Sequence, residues 1–148
     1  MLDPRVALAV FCEDIRPELG DKHSFMGVLT GPLVMRGTPP ALMTRLAVAV
    51  WLICDLGDLP TRCAVSVHLA GTGAELTRYD VKGAASAAMP DDATRKQILF
   101  SACQVPPFDL KGPDTVEVWT HPDDGEAVRA GRLSIRFESG MDGVGAGL

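Results

Sequence analysis

Aromatic residues are scarce in this chain. Phe, Trp and Tyr together make up 5% of its 148 residues, too few for the stacking platforms on which many proteins hold bases. Basic residues are outnumbered: 14 Lys and Arg stand against 19 Asp and Glu, a formal net charge of −5. Nonspecific nucleic-acid binding needs a basic stripe that displaces counterions from phosphates, and the sequence shows none. No Gly-x-Ser-x-Gly, P-loop or dinucleotide fingerprint occurs; Gly71-Thr72-Gly73 is a turn with no helix after it. The 4 cysteines, Cys12, Cys54, Cys63 and Cys103, sit in apolar runs without CxxC or Cys/His ligand spacing, which argues against a zinc site. The longest apolar run, Leu46 to Cys54, is too short to span a bilayer. The N-terminus has no basic region followed by a cleavage site and does not read as a signal peptide. The expectation is a soluble cytoplasmic protein with free thiols, no cofactor, no nucleic-acid partner and no membrane span.

What the chain does have is strand pattern throughout. Hydrophobic residues make up 47% of it, enough for one well-buried core at this length. Strand-like runs lie near Arg5–Glu13, Ser24–Thr30, Thr44–Asp55, Arg62–Ala70, Glu75–Val81, Lys96–Val105, Asp114–Thr120 and Ala127–Glu138. Gly, Pro and Asp turns separate them. Many strands with short turns predict an all-β, antiparallel β-sandwich of about eight strands over residues 1–138. A short helical turn is expected near 83–94, and a Gly-rich flexible tail over 139–148. The chain is expected to open with a hairpin that joins Arg5–Glu13 to Ser24–Thr30 through Gly20-Asp21-Lys22.

The opening carries a resemblance. Cys12-Glu13-Asp14-Ile15-Arg16, then Glu18, Gly20-x-Lys22 and Gly27-Val28, resemble the start of a family of small uncharacterised proteins of bacteria and their phages. Phe108, Gly112 and the Val116–Phe137 hairpin extend the likeness along most of the chain, and the tail from Ser139 departs from it. The resemblance implies a compact β-sandwich of unknown function, a virion component if phage-encoded. It transfers no catalytic residue.

Two hairpins can be read by register. With the turn at Asp124-Gly125, Val116 faces Leu133 and Glu117 faces Arg132. Val118, Leu133, Ile135 and Phe137 then share one face, and Glu117, Arg132, Ser134 and Arg136 the other. A second hairpin, centred between Asp58 and Leu59, sets Cys54 against Cys63, Leu52 against Val65 and Val48 against Leu69. Its outer face is then apolar, with Trp51, Ile53, Ala49 and Ala64 beside Ser66 and His68. An outward sheet face should be polar. Something must cover this one: a second layer, the Gly83–Thr94 segment or another subunit. Trp51, Ile53 and His68 are therefore the candidate interface residues, for self-association through this face or an adjacent sheet edge, with burial inside the chain as the alternative.

Strand parity adds a second candidate. If successive strands alternate direction, Asp14, Asp58, Asp91, Asp123 and Asp124 gather at one end of the domain. Such a rim has the oxygen donors that calcium takes and a field that steers basic partners, although Asp-Gly and Asp-Asp pairs also serve simply as turns. The functional expectation is a non-catalytic binding or structural assembly module, phage- or prophage-associated by its resemblance. The alternative is an enzyme or calcium-binding domain that uses the acidic rim.

Overall fold

Alternating side chains write the architecture. In a computed structural model that describes residues 4–81 and 96–138, the chain forms β1 (Val6–Cys12), β2 (Asp14–Glu18), β3 (Lys22–Met26), β4 (Leu33–Arg36), β5 (Ala41–Met43) and β6 (Ala47–Asp55). It continues through β7 (Cys63–Leu69), β8 (Glu75–Val81), β9 (Lys96–Gln104), β10 (Phe108–Leu110), β11 (Asp114–Pro122) and β12 (Val128–Glu138). The described residues contain no helix. The expected helical turn and the Gly-rich tail fall outside them.

Two sheets face each other. One has the order β1-β6-β9, the other β4-β12-β11-β7-β8. Neighbours are antiparallel except β4, which runs parallel to β12. Phe11, Val48 and Val50 from the first sheet meet Val65, Val67, Val116, Val118, Leu133 and Ile135 from the second in the main core. The short β5–β10 ribbon adds Met43, Phe108 and Leu110 to that core. The β2–β3 ribbon lies instead on the outer side of the three-stranded sheet. This is the expected all-β sandwich.

The closing hairpin has the expected register: Val116 pairs with Leu133 and Glu117 with Arg132. Val116, Val118, Leu133 and Ile135 are buried, while Arg132, Ser134 and Arg136 are exposed. A bulge between Val118 and Trp119 shifts the pairing by one residue toward the turn, which alternation alone did not announce.

Two other pairings differ from expectation. The N-terminal turn at Gly20-Asp21 exists, but it joins β2 to β3, with Asp14 opposite Met26 and Glu18 opposite Lys22. β1 pairs with β6. The expected β6–β7 hairpin does not form, because β6 belongs to one sheet and β7 to the other. The connection between them crosses the sandwich and buries Pro60 on the way. Cys54 and Cys63 still meet, from opposite layers, in a small cluster with Ala7, Leu52 and Leu99. Both strands are apolar on both sides, so an imagined pairing satisfied alternation as well as the real one.

Candidate functional site

The outer side of the three-stranded sheet is apolar row by row. Val6, Ile53 and Ile98 form one row, Leu8, Trp51 and Phe100 the next, and Val10, Ala49 and Ala102 a third. The β2–β3 ribbon covers part of this face. Phe25 meets Trp51 edge-on with ring centroids 5.9 Å apart, and His23 lies 4.8 Å from the Phe100 ring. Trp51 and Phe100 also touch each other, at 5.1 Å. That cover explains why Ala47 and Ala49 are fully buried on a nominally outward face. It stops short of the first row. Val6 is 48% exposed, Leu8 51% and Ile98 39%. Beyond them Lys96 and Asp55, joined at 2.5 Å, close the face with charges of both signs.

Of the candidate interface residues, Trp51 and Ile53 belong to this face. His68 does not. With Ala64 and Ser66 it sits on β7, on the outer side of the opposite sheet, where its Nε2 lies 3.6 Å from Glu117 Oε1. The assignment of β6 and β7 to different layers separates them. Val6 and Leu8 were missed because β1 was paired elsewhere; its alternation, with Ala7 buried between exposed Val6 and Leu8, was the available signal.

The acidic rim also needs correction. Asp58, Asp123 and Asp124 do share one end: Asp123 N–H donates to the Arg62 carbonyl, 3.0 Å away. Asp14 follows β1 at the other end, since Cys12 pairs with Ala47 and Val6 with Ile53. There Asp14 accepts from Arg16 Nε at 2.9 Å and from Gln104, and the Arg16 hydrogen bond holds its carboxyl below the ordinary range. Asp91 lies outside the described residues. Strand parity failed because the chain makes four strands between β1 and β6 where one was read.

The shared end is organised by a residue that sequence reading passed over. Arg5 donates from Nη1 to Asp124 Oδ1 at 2.6 Å and from Nη2 to the Asp58 carbonyl at 2.6 Å, with Nε 3.3 Å from Asp58 Oδ2. Its guanidinium is held protonated chiefly by the Asp124 hydrogen bond, and that bond in turn pulls the Asp124 carboxyl below its usual value. Arg5 thus ties the chain start to two turns. Among the described residues no three His, Cys, Asp or Glu side chains gather as metal ligands.

Nucleophile chemistry has one geometric candidate. Ser66 Oγ lies 2.7 Å from His121 Nε2. Ser66, however, is 2% exposed at mid-strand, paired with Trp119 on one side and Arg78 on the other. Backbone N–H groups there serve the sheet ladders, which leaves poor provision for the donors an oxyanion needs. The four thiols are free, and burial raises the pKa of each, the opposite of an activated cysteine. Burial, helped by Arg78, lowers the His121 pKa. A depressed histidine favours folding fully above its unfolded value of about 6.5 and loses that contribution as pH falls through the folded value. Urea midpoints of the wild type are therefore expected to drop between neutral and mildly acid pH more than those of His121→Gln. Parallel pH curves for the two proteins would remove His121 as the cause.

No helix among the described residues is long and apolar enough to cross a membrane. Comparison with protein-family models, with curated proteins and with solved structures finds no match.

Proposed function

We propose that this protein is a non-catalytic assembly module that associates with a second copy of itself through the open part of the three-stranded sheet. The observation that carries the reading is the exposed Val6, Leu8 and Ile98 around half-buried Ile53, on a face otherwise covered by its own β2–β3 ribbon. Contiguous apolar surface of this kind marks interaction sites. The face suits a copy of itself: its charged boundary at Lys96 and Asp55 carries both signs, so a two-fold arrangement meets no net repulsion. The resemblance of the opening motif adds a phage or prophage setting.

Leu8→Asp and Ile98→Asp test this. Both side chains are exposed in the single chain, so folding should survive. In a symmetric dimer each substitution enters the interface twice, and an uncompensated charge there should weaken association by about a thousandfold or more. Sedimentation should show an assembled wild type and monomeric variants with unchanged urea midpoints. A wild type that sediments as a monomer at every concentration overturns the proposal.

A further inference from the structure

The opposite side of the sandwich has a different chemistry. On the outer face of the five-stranded sheet, β12 projects Arg129, Arg132 and Arg136, and the neighbouring β4 projects Arg36. Glu117 stands 3.6 Å from both Arg129 and Arg132. Arg36 and Arg136 have no ion-pair partner among the described residues. The chain is acidic overall, yet its topology gathers four arginines along one strand and its neighbour, with Glu117 and, opposite Arg36, Glu138 as the acidic residues among them. Sequence reading missed the stripe because Arg36 is far from β12 in the chain and becomes adjacent only through a parallel pairing.

A groove of about 440 Å³ runs beside the stripe. Its floor includes Phe11, Leu29 and Leu133, and its walls are β1, the Val28–Pro32 connection and the Gly131–Ser134 part of β12. β1 pairs with β6 on its other side only, and β12 meets β4 only from Ile135 onward. Two strand edges therefore face the groove without a ladder between them, save where the Leu29 N–H donates to the Phe11 carbonyl. Unpaired edges over an apolar floor are what an extended peptide uses, with main-chain bonds for affinity and pockets for side chains.

We propose that this groove and its arginines are a docking site for an acidic, extended segment of a partner protein. One apolar side chain of that segment rests over Phe11 and Leu133, and its carboxylates meet Arg132, Arg136 and Arg36. A segment laid along the open edge of β12 stops where β4 begins at Ile135, so its outward carboxylates meet Arg132 beside the groove and Arg136 just past its end. Arginine suits the task because its planar fork receives a carboxylate through two parallel hydrogen bonds. A phosphate chain is the poorer occupant, given the net charge of −5 and, among the described residues, Trp119 as the one Phe, Tyr or Trp ring on this face, itself half-buried.

The test uses a short fluorescent peptide of glutamates around one phenylalanine, titrated with the full chain. Arg36→Ser/Arg136→Ser removes the two arginines of the stripe that hold no ion pair among the described residues; its urea midpoint should match the wild type, and it should weaken binding about tenfold. Ser134→Trp, at the exposed rim of the groove, should bind the peptide only as tightly as the wild type binds a version with glycine in place of the phenylalanine. Three results overturn the proposal: no binding by the wild type, equal binding by the arginine variant, or tighter binding of an oligothymidylate of matching length than of the peptide.

Discussion

Trp51→Asp is expected to destabilise the protein by about 3 kcal/mol, the lower end of what removing a packed large aromatic costs, because the indole is not fully buried. The indole is the centre of an aromatic cluster that spans two elements. Phe100 touches it from the same sheet, and Phe25 from the β2–β3 ribbon laid over it. An aspartate there removes both contacts and places a charge under the ribbon. The loss should appear as a lower urea midpoint and as faster amide exchange over residues 14–26, whose hold on the sheet depends on that cluster. Phe25→Ala should reproduce the exchange effect with a smaller loss of stability. Unchanged midpoint and exchange in Trp51→Asp would mean that the ribbon is not anchored there. The assembly variants Leu8→Asp and Ile98→Asp should do the reverse, altering association and leaving stability alone. This contrast separates the covered part of the face from the open part.

The second large effect is expected at Gly131. A Cβ at this position would stand 3.0 Å from the Ala9 Cβ and 3.5 Å from the Phe11 ring. Gly131→Val must therefore push β1 away from β12, at a cost of about 2 kcal/mol, typical of overpacking. Because the closest clash is between two Cβ atoms, Ala9→Gly in the same chain should recover part of the loss even though glycine alone weakens a strand. Non-additivity of this kind is the signature of direct contact. If the double variant is simply the sum of its parts, the two strands are not pressed together at that point, and the groove they flank has a different shape.

How much could be read from residues alone varied with local pattern. The closing hairpin was legible in register as far as Val118, short of its bulge, because Asp124-Gly125 marks the turn and the strand positions beyond the bulge alternate between buried and polar. β2, β4, β5 and β10 were not. They are three to five residues long, β2 contains Pro17, and short pieces of this kind lack a period to detect. Their omission had a long reach. Three unread strands before β6 reverse its direction relative to β1, so Asp14 was assigned to the end that holds Asp58, Asp123 and Asp124, although the strands that carry these turns were mostly correct.

By itself the sequence determined the class of the molecule: strands nearly everywhere, one apolar core, thiols in apolar runs, and Trp51 and Ile53 on a face that required a cover. Those properties follow from alternation and composition, which are local. The partner of each strand was decided by the tertiary structure. Two strands that are apolar on both sides are compatible with many neighbours, and only the packing of two layers around a shared core selected β1 and β9 for β6, and β8 and β11 for β7. The same selection separated His68 from Trp51, drew Arg5 between Asp58 and Asp124, and aligned Arg36 with Arg136. Each of these is a contact between residues far apart in the chain. No pattern within a single segment encodes such a contact, because its energy exists only once both layers are in place.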